Sequence, residues 1–232
     1  MKPEHIDWQK QAKKAVAREA VKHVKNGSVI GLGSGTTVAY AIEELGKKHL
    51  QILAVPSSYQ AFLLAAQYHI QITTLDEHPR LNLTIDGADQ VEIKTLNMIK
   101  GMGGALTREK IVITASRENI IIIDKTKLVS KLGVEQPVPV EVLPFALATV
   151  KSALQTLKGR SHLREGSGKI GPVVTDNGNF IIDTDFGAIR DAERLDTQIK
   201  CIPGVVETGL FLNKATIVYV GTEAKVEKLT KP

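Results

Sequence analysis

Four consecutive isoleucines, residues 120–123 in "NIIIIDKTK", constrain the fold more than any other stretch of this chain. A strand that is apolar at every position has two faces to bury, as happens inside a parallel sheet covered by helices on both sides. The preceding sequence supplies such helices. Ala12, Val16, Ala20 and Val24, with Ala17 and Val21 beside them, recur at helical spacing until Asn26 and Gly27 stop the run. "SVIGLG" (28–33) then reads as a strand, "TTVAYAIEELGKK" as a helix, "QILAVPSS" as a strand, "YQAFLLAAQYH" as a helix and "IQITTL" as a strand. "RLNLTID" (80–86) is a further strand, and a helix is predicted over 106–117. Alternation of this kind predicts a doubly wound α/β layer.

The character changes around residue 134, where "VEQPVPVEVLP" places three prolines in a short span and predicts a domain boundary. Beyond it come a helix over 145–158, a strand pair around "VVTDNGNFIID" and a helix over 188–200. Asn-Gly inside that pair suits a primed hairpin turn with positive φ. "GVVETGLFLN" and "TIVYVGTE" read as strands returning to the main sheet.

Composition narrows the function classes. A net charge of +5 and a pI near 9.2 favour anionic partners. Aromatics make up only 4%, too few for the stacking platforms of single-stranded nucleic-acid binders. The lone Cys201 leaves no internal disulfide, and at the end of an amphipathic stretch it reads as a buried structural thiol. "MKPEHIDWQK" carries no apolar signal region and no run is long enough to span a bilayer, so a cytoplasmic protein with no membrane partner is expected.

Four places hold groups suited to chemistry. "GLGSGTT" (31–37) lies between a strand and a helix, where backbone N–H groups bind anions. It lacks the spacing of a dinucleotide fingerprint and the lysine of a Walker A loop. A tight turn and a phosphate site explain it about equally, and the hydroxyls of Ser34, Thr36 and Thr37 tip the balance towards a small phosphorylated ligand. "DGADQ" (86–90) ends a strand with Asp86 and Asp89 three residues apart, fit to hold neighbouring hydroxyls, bind a metal or shift each other's pKa, with a solvated Asp-Gly turn as the alternative that the strand end disfavours. "MIKGMGGALTREK" (98–110) places Lys100 before a glycine loop and Glu109 in the first turns of a helix. An acid there is ordinary helix chemistry, and a base paired with a cation beside loop amides is the sharper alternative. Finally, Lys127 in "DKTK" follows the isoleucine strand, while Ser57 and Ser58 offer hydroxyls at another strand end. No nucleophilic triad or metal cluster is evident. The inventory suits proton transfer on a polyhydroxylated phosphate.

"GLGSGTT", "DGADQ", "MIKGMGGALTREK", "VTDNGN" and "IPGVVETGLF" occur here in the order and spacing of type A ribose-5-phosphate isomerases, which the chain resembles over essentially its whole length. The resemblance implies interconversion of ribose 5-phosphate and ribulose 5-phosphate in the pentose phosphate pathway, without metal or cofactor, by a homodimer or homotetramer. It implies a Rossmann-like, mostly parallel sheet over 1–134 plus 206–232, and a smaller α+β, ferredoxin-like domain over 135–205 concerned with oligomerisation. It makes Glu109 the proton acceptor between C2 and C1, Asp86 a helper in ring opening and Lys100 a stabiliser of negative charge. Ser34, Gly35, Thr36 and Thr37 become one substrate-binding turn, and Asp86, Gly87, Ala88 and Asp89 a second segment. Lys100, Gly101, Met102 and Gly103 become a third, joined by Lys127, with Lys13 a weaker phosphate contact. Two residues depart from the family pattern: Gln90 stands where DGADE ends in Glu, and Met102 interrupts KGGG. The rival readings are an amino-sugar phosphate deaminase, a non-catalytic sugar-phosphate sensor and, on charge alone, a nucleic-acid binder.

Overall fold

A computed structural model describes residues 8–166, 168 and 170–231. The first seven residues of "MKPEHIDWQK" lie outside the described residues. The chain opens with α1 (Trp8–Val21), β1 (Val29–Leu32), α2 (Thr36–Lys47), β2 (Leu53–Pro56), α3 (Tyr59–Gln67) and β3 (Gln71–Ile72). There follow β4 (Leu81–Asp86), β5 (Gln90–Glu92), β6 (Met98–Ile99), α4 (Leu106–Ala115), β7 (Ser116–Asp124) and β8 (Leu128–Val129). Next are β9 (Val138–Val142), α5 (Leu147–Thr156), β10 (Arg160–Leu163), β11 (Phe180–Asp185) and α6 (Ala192–Lys200). The short strands β12 (Val205–Thr208), β13 (Leu210–Phe211), β14 (Ile217–Gly221) and β15 (Val226–Thr230) complete the chain. Two compact units result, one from the chain through Gly87 with 115–127 and the residues from 215 onward, the other from 88–114 with 128–214. The span 135–205 lies wholly within the second, which also takes in the glycine loop and nearly all of α4.

The first unit is a seven-stranded sheet in the order β15-β14-β7-β4-β1-β2-β3, parallel except for the antiparallel edge strand β15. The isoleucines of β7 are each 1% exposed or less, as a strand covered on both faces requires. Ala12, Val16, Ala17, Ala20 and Val21 give α1 one buried face, and all but Ala12 pack in a common core with Val38, Ala41 and Ile42 of α2. Strand order reverses at β1, which pairs with β2 on one side and β4 on the other. Ligands of open α/β sheets bind beyond the carboxyl ends of strands at such a switch point.

In the second unit β9, α5, β10, β11, α6 and β12 form a ferredoxin-like β-α-β-β-α-β run whose antiparallel sheet has the order β10-β11-β9-β12. Val140, Val142, Val150, Leu154, Ile182 and Ile199 are its core. A second small sheet, β13-β6-β5-β8, has strands of only two or three residues, and β5, β6 and β8 are too short for periodicity to reveal.

Four expectations need correction. The two units divide between Lys127 and Leu128, upstream of the proline-rich stretch, which contains β9, buried at all five positions and central in its sheet. Pro139 has no N–H to offer the ladder, but its carbonyl accepts from Gly209 N at 2.6 Å. "GVVETGLFLN" does not return to the main sheet, since β12 pairs with β9 and β13 with β6; only β14 rejoins it, beside β7. The Asn-Gly turn is not a primed one. Gly178 N donates to Thr175 O at 2.9 Å and only Gly178, at φ 79°, is left-handed, so a type I turn runs into a bulge glycine. Its first arm makes only an isolated bridge, from Val174 to Phe180. Cys201 is exposed, because it caps α6 while Ile199 takes the buried face.

Candidate active site

The expected site residues fall into two groups, one in each unit. In the first unit the turn after β1 is built on a close approach: a Cβ at Gly33 would overlap the carboxylate of Asp86. Gly33 N donates to Ile85 O at 2.9 Å, and Asp86 Oδ1 accepts from Ser34 N at 3.3 Å and from Gly87 N at 2.7 Å. Fully buried Asp86 therefore stands at the switch point, its backbone neighbours pinned to its own side chain. Ser34 Oγ lies 3.1 Å from Ser57 Oγ and donates to Ser58 Oγ at 2.7 Å, while Gly35 N donates to Gln60 Oε1 at 2.8 Å. These bonds aim the turn at the start of α2, where Thr36 and Thr37 are the first helical residues. The first-turn amides of a helix have no intrahelical acceptor, so they offer themselves to an anion. Lys13 of α1 brings its ammonium to this turn, 3.3 Å from Thr36 Oγ1. Lys127 closes the 3-10 turn that follows β7, half-buried and one strand over from β4.

In the second unit Ala88 and Asp89 lead into the hairpin of β5 and β6, where Asp89 N donates to Ile99 O at 2.9 Å. The hairpin ends at Lys100, whose backbone N donates to Gly209 O at 2.9 Å. Its ammonium lies 3.1 Å from Glu109 Oε2 in the first turn of α4. Lys100 is 2% exposed and Glu109 5%, so this is a buried ion pair, costly to desolvate and held only by close geometry. The motif over 98–110 thus resolves in favour of a paired carboxylate over a solvated helix-end acid.

The glycine loop between them is tied down at every polar atom of Met102's backbone. Met102 N donates to Asp89 Oδ2 at 3.0 Å. Arg164 Nη1 donates to Gly101 O at 2.8 Å and to Met102 O at 3.0 Å, and Arg164 itself is forked onto Asp183. Met102 has no positive φ; Gly101, at 106°, and Gly104, at 82°, take those conformations. Its side chain is 41% exposed, with Sδ 3.7 Å from Arg164 Nη2. Methionine interrupts the glycine run without strain. Gly103 lies open, since a Cβ added there would meet nothing within 4 Å.

Sequence reasoning missed several partners. Arg164 lies in "SHLREGSGK", which has no periodicity or motif to mark it. Lys110, the next residue of α4, donates to Glu207 Oε1 at 2.9 Å and to Thr208 O at 2.7 Å. The ring of fully buried Phe211 has the Lys110 ammonium 4.7 Å from its centroid and that of Lys100 at 5.3 Å. Burial pushes the Lys110 ammonium down to about 8, against the opposing pull of Glu207. Glu207 is raised by burial, but the charge and hydrogen bond of Lys110 outweigh that and leave it below the ordinary range. Among the described residues no group of three or more His, Cys, Asp or Glu is placed to hold a metal ion.

Comparison with known proteins follows the same lines. The family model of ribose 5-phosphate isomerase A (phosphoriboisomerase A) matches residues 53–225. The ribose-5-phosphate isomerase A of Thermosynechococcus vestitus is 48% identical over 220 residues, covering 93% of each chain. The structure of ribose 5-phosphate isomerase A from Methanocaldococcus jannaschii superposes with a TM-score of 0.93 at 47% identity, covering 96% of this chain and 100% of that one. A D-ribose-5-phosphate isomerase in complex with phospho-erythronic acid also gives 0.93, at 44% identity, covering 95% and 98%.

Proposed function

The chain belongs to the ribose 5-phosphate isomerase A family and is an aldose–ketose isomerase; on that premise we propose how its own residues interconvert D-ribose 5-phosphate and D-ribulose 5-phosphate. The observation that carries the assignment is the buried pair of Lys100 and Glu109 at 3.1 Å. The pair sets a carboxylate that can take a proton beside an ammonium that can face negative charge. Glu109 takes the proton from C2 of the open-chain aldose, leaving an enediolate; the proton of the C2 hydroxyl passes to the C1 oxygen, and Glu109 returns its proton to C1. Lys100 stabilises the negative charge that develops on the enediolate oxygens. The Met102 amide is engaged by Asp89, so the charge falls to Lys100 and to other amides of the loop.

The remaining roles are proposals of the same kind. The turn of Ser34, Gly35, Thr36 and Thr37 binds the phosphate through first-turn amides and hydroxyls, with Lys13 and Lys127 supplying positive charge. Asp86 assists opening of the sugar ring. Gly87, Ala88 and Asp89, with Gly101, Met102 and Gly103, contact the sugar. The likeness to an isomerase in complex with phospho-erythronic acid, itself an anionic phosphorylated polyol, supports a sugar phosphate as the ligand. We further place the enzyme in the cytoplasm and in the non-oxidative pentose phosphate pathway, as a homodimer or homotetramer without a cofactor. Among the described residues no helix is long and apolar enough to cross a membrane.

The test is direct. Purified protein with a chelator present is expected to form ketopentose phosphate from ribose 5-phosphate. Failure to do so, or release of ammonia from glucosamine 6-phosphate instead, overturns the assignment in favour of a sensor or a deaminase.

A further inference from the structure

The motif "TDNGN" (175–179) turns the chain, with Thr175 Oγ1 accepting from Asn177 N at 3.2 Å and Asn179 N at 3.1 Å, and three of its side chains also bond outside the turn. Glu141 of β9 is fully buried and accepts four hydrogen bonds. Thr175 Oγ1 donates to its Oε1 at 2.9 Å, Asn177 Nδ2 at 3.0 Å and Asn179 Nδ2 at 2.9 Å. The fourth donor is Thr107 Oγ1, which reaches Oε2 at 2.5 Å. Thr107 lies in the first turn of α4, two residues before Glu109. The residue between them, Arg108, is tied to the same turn: its Nε donates to Asn177 Oδ1 at 2.7 Å and its Nη2 to Asp176 O at 2.6 Å.

A type I turn with a left-handed glycine needs none of these bonds, and a buried carboxylate is costly to desolvate. A hydrophobic residue in β9 would meet the demands of the fold at lower cost. The bonds do, however, fix the part of α4 that is weakest, since a first helical turn has unsatisfied amides and frays. Glu109 sits in that turn. Proton abstraction requires the carboxylate to be within hydrogen-bond reach of the proton it takes. A misplacement of about 1 Å can cost roughly 10²-fold in rate.

We propose that Glu141, acting through Thr107 and the turn over 175–179, is a positioning residue that holds the first turn of α4 so that the Glu109 carboxylate meets C2. The inference rests on Glu109 as the base. Glu141 touches no reacting atom; its effect is carried by the Thr107 hydroxyl directly and by Asn177 through Arg108.

The experiment compares kcat and KM for ribose 5-phosphate in the full chain and in T107V, T107S, N177A and E109Q, with urea midpoints to verify folding. T107V is expected to lower kcat by about tenfold to 10²-fold with KM within about twofold of wild type. T107S, which restores the donor to Glu141, is expected to return kcat to within about threefold. N177A alters an exposed turn position and is expected to lower kcat in the same way, so it carries the test if T107V does not fold. Normal kcat in T107V, or in N177A where T107V is unfolded, overturns the positioning role, as does a T107S protein as slow as T107V. E109Q separates the two claims. If it turns over at a near wild-type rate, the base assignment fails and this inference with it. If it is inactive while T107V is normal, the positioning role alone fails.

Discussion

Met102 and Gln90, the two departures from the family pattern, are each explained by what their polar atoms meet. Met102 keeps an ordinary φ, gives its amide to Asp89 and its carbonyl to Arg164, and leaves its side chain half outside. Gln90 is buried, where its amide nitrogen donates to Val134 O and its oxygen accepts from Gly133 N at 2.9 Å. One donor and one acceptor are required there. An ionised glutamate has no donor and would set an oxygen against the Val134 carbonyl. The prediction at this scale concerns Glu109. Glu109→Gln keeps the shape of the side chain and removes its basicity, so kcat should fall by ~10²–10⁴-fold or more with KM little changed. Steady-state kinetics with ribose 5-phosphate measure this, and a variant working near the wild-type rate would remove Glu109 from the reaction. Glu109 and Lys100 were legible in the sequence as a carboxylate and a cation flanking a loop, and the structure pairs them. Arg164 was not, because its partners lie some sixty residues away, at Gly101 and Met102.

Among the elements, the β1–α2 connection carries the most specific demand. Gly33 passes so close to Asp86 that no larger residue fits without moving a buried carboxylate. Gly33→Ala should destabilise the protein by about 1–3 kcal/mol, the usual range for overpacking. Gly103→Ala, in open space, should stay within about 0.5 kcal/mol of wild type. Urea unfolding of the two variants distinguishes them, and equal midpoints would mean that the close approach is not a constraint. Sequence pattern located the strands and helices of the α/β layer to within a few residues, since a continuous apolar run and a 3.6-residue stripe are local signals. It failed at β9, where proline content outweighed the alternation of Val138, Val140 and Val142. It also failed at β5, β6 and β8, whose two or three residues have no periodicity to read.

Global stability should register the buried lysine of α4. Lys110 is held down to about 8 from 10.5 by burial, with Glu207 opposing. A lowered lysine means that between these values the unfolded chain binds more protons than the folded one, so stability rises with pH across that window. Below about 8 both states are protonated and the destabilising contribution is at its full value. The difference of about 2.5 units corresponds to roughly 3 kcal/mol. The stability of wild type relative to Lys110→Met should therefore climb by up to about 3 kcal/mol from pH 8 to 10.5. Denaturant unfolding at a series of pH values measures it, and a flat difference would show that Lys110 titrates normally. By itself, the sequence determined the alternation of strands and helices and the chemistry available at strand ends, because periodicity, turn residues and motif spacing are properties of neighbouring residues. The tertiary structure alone decided which sheet β12 and β13 join and which partners hold the buried charges: Asp86 on Ser34 N, Lys110 on Glu207, and Glu141 under Thr107. Those pairings join segments far apart in the chain, and a buried charge is tolerated only where folding brings a matching donor or acceptor to it.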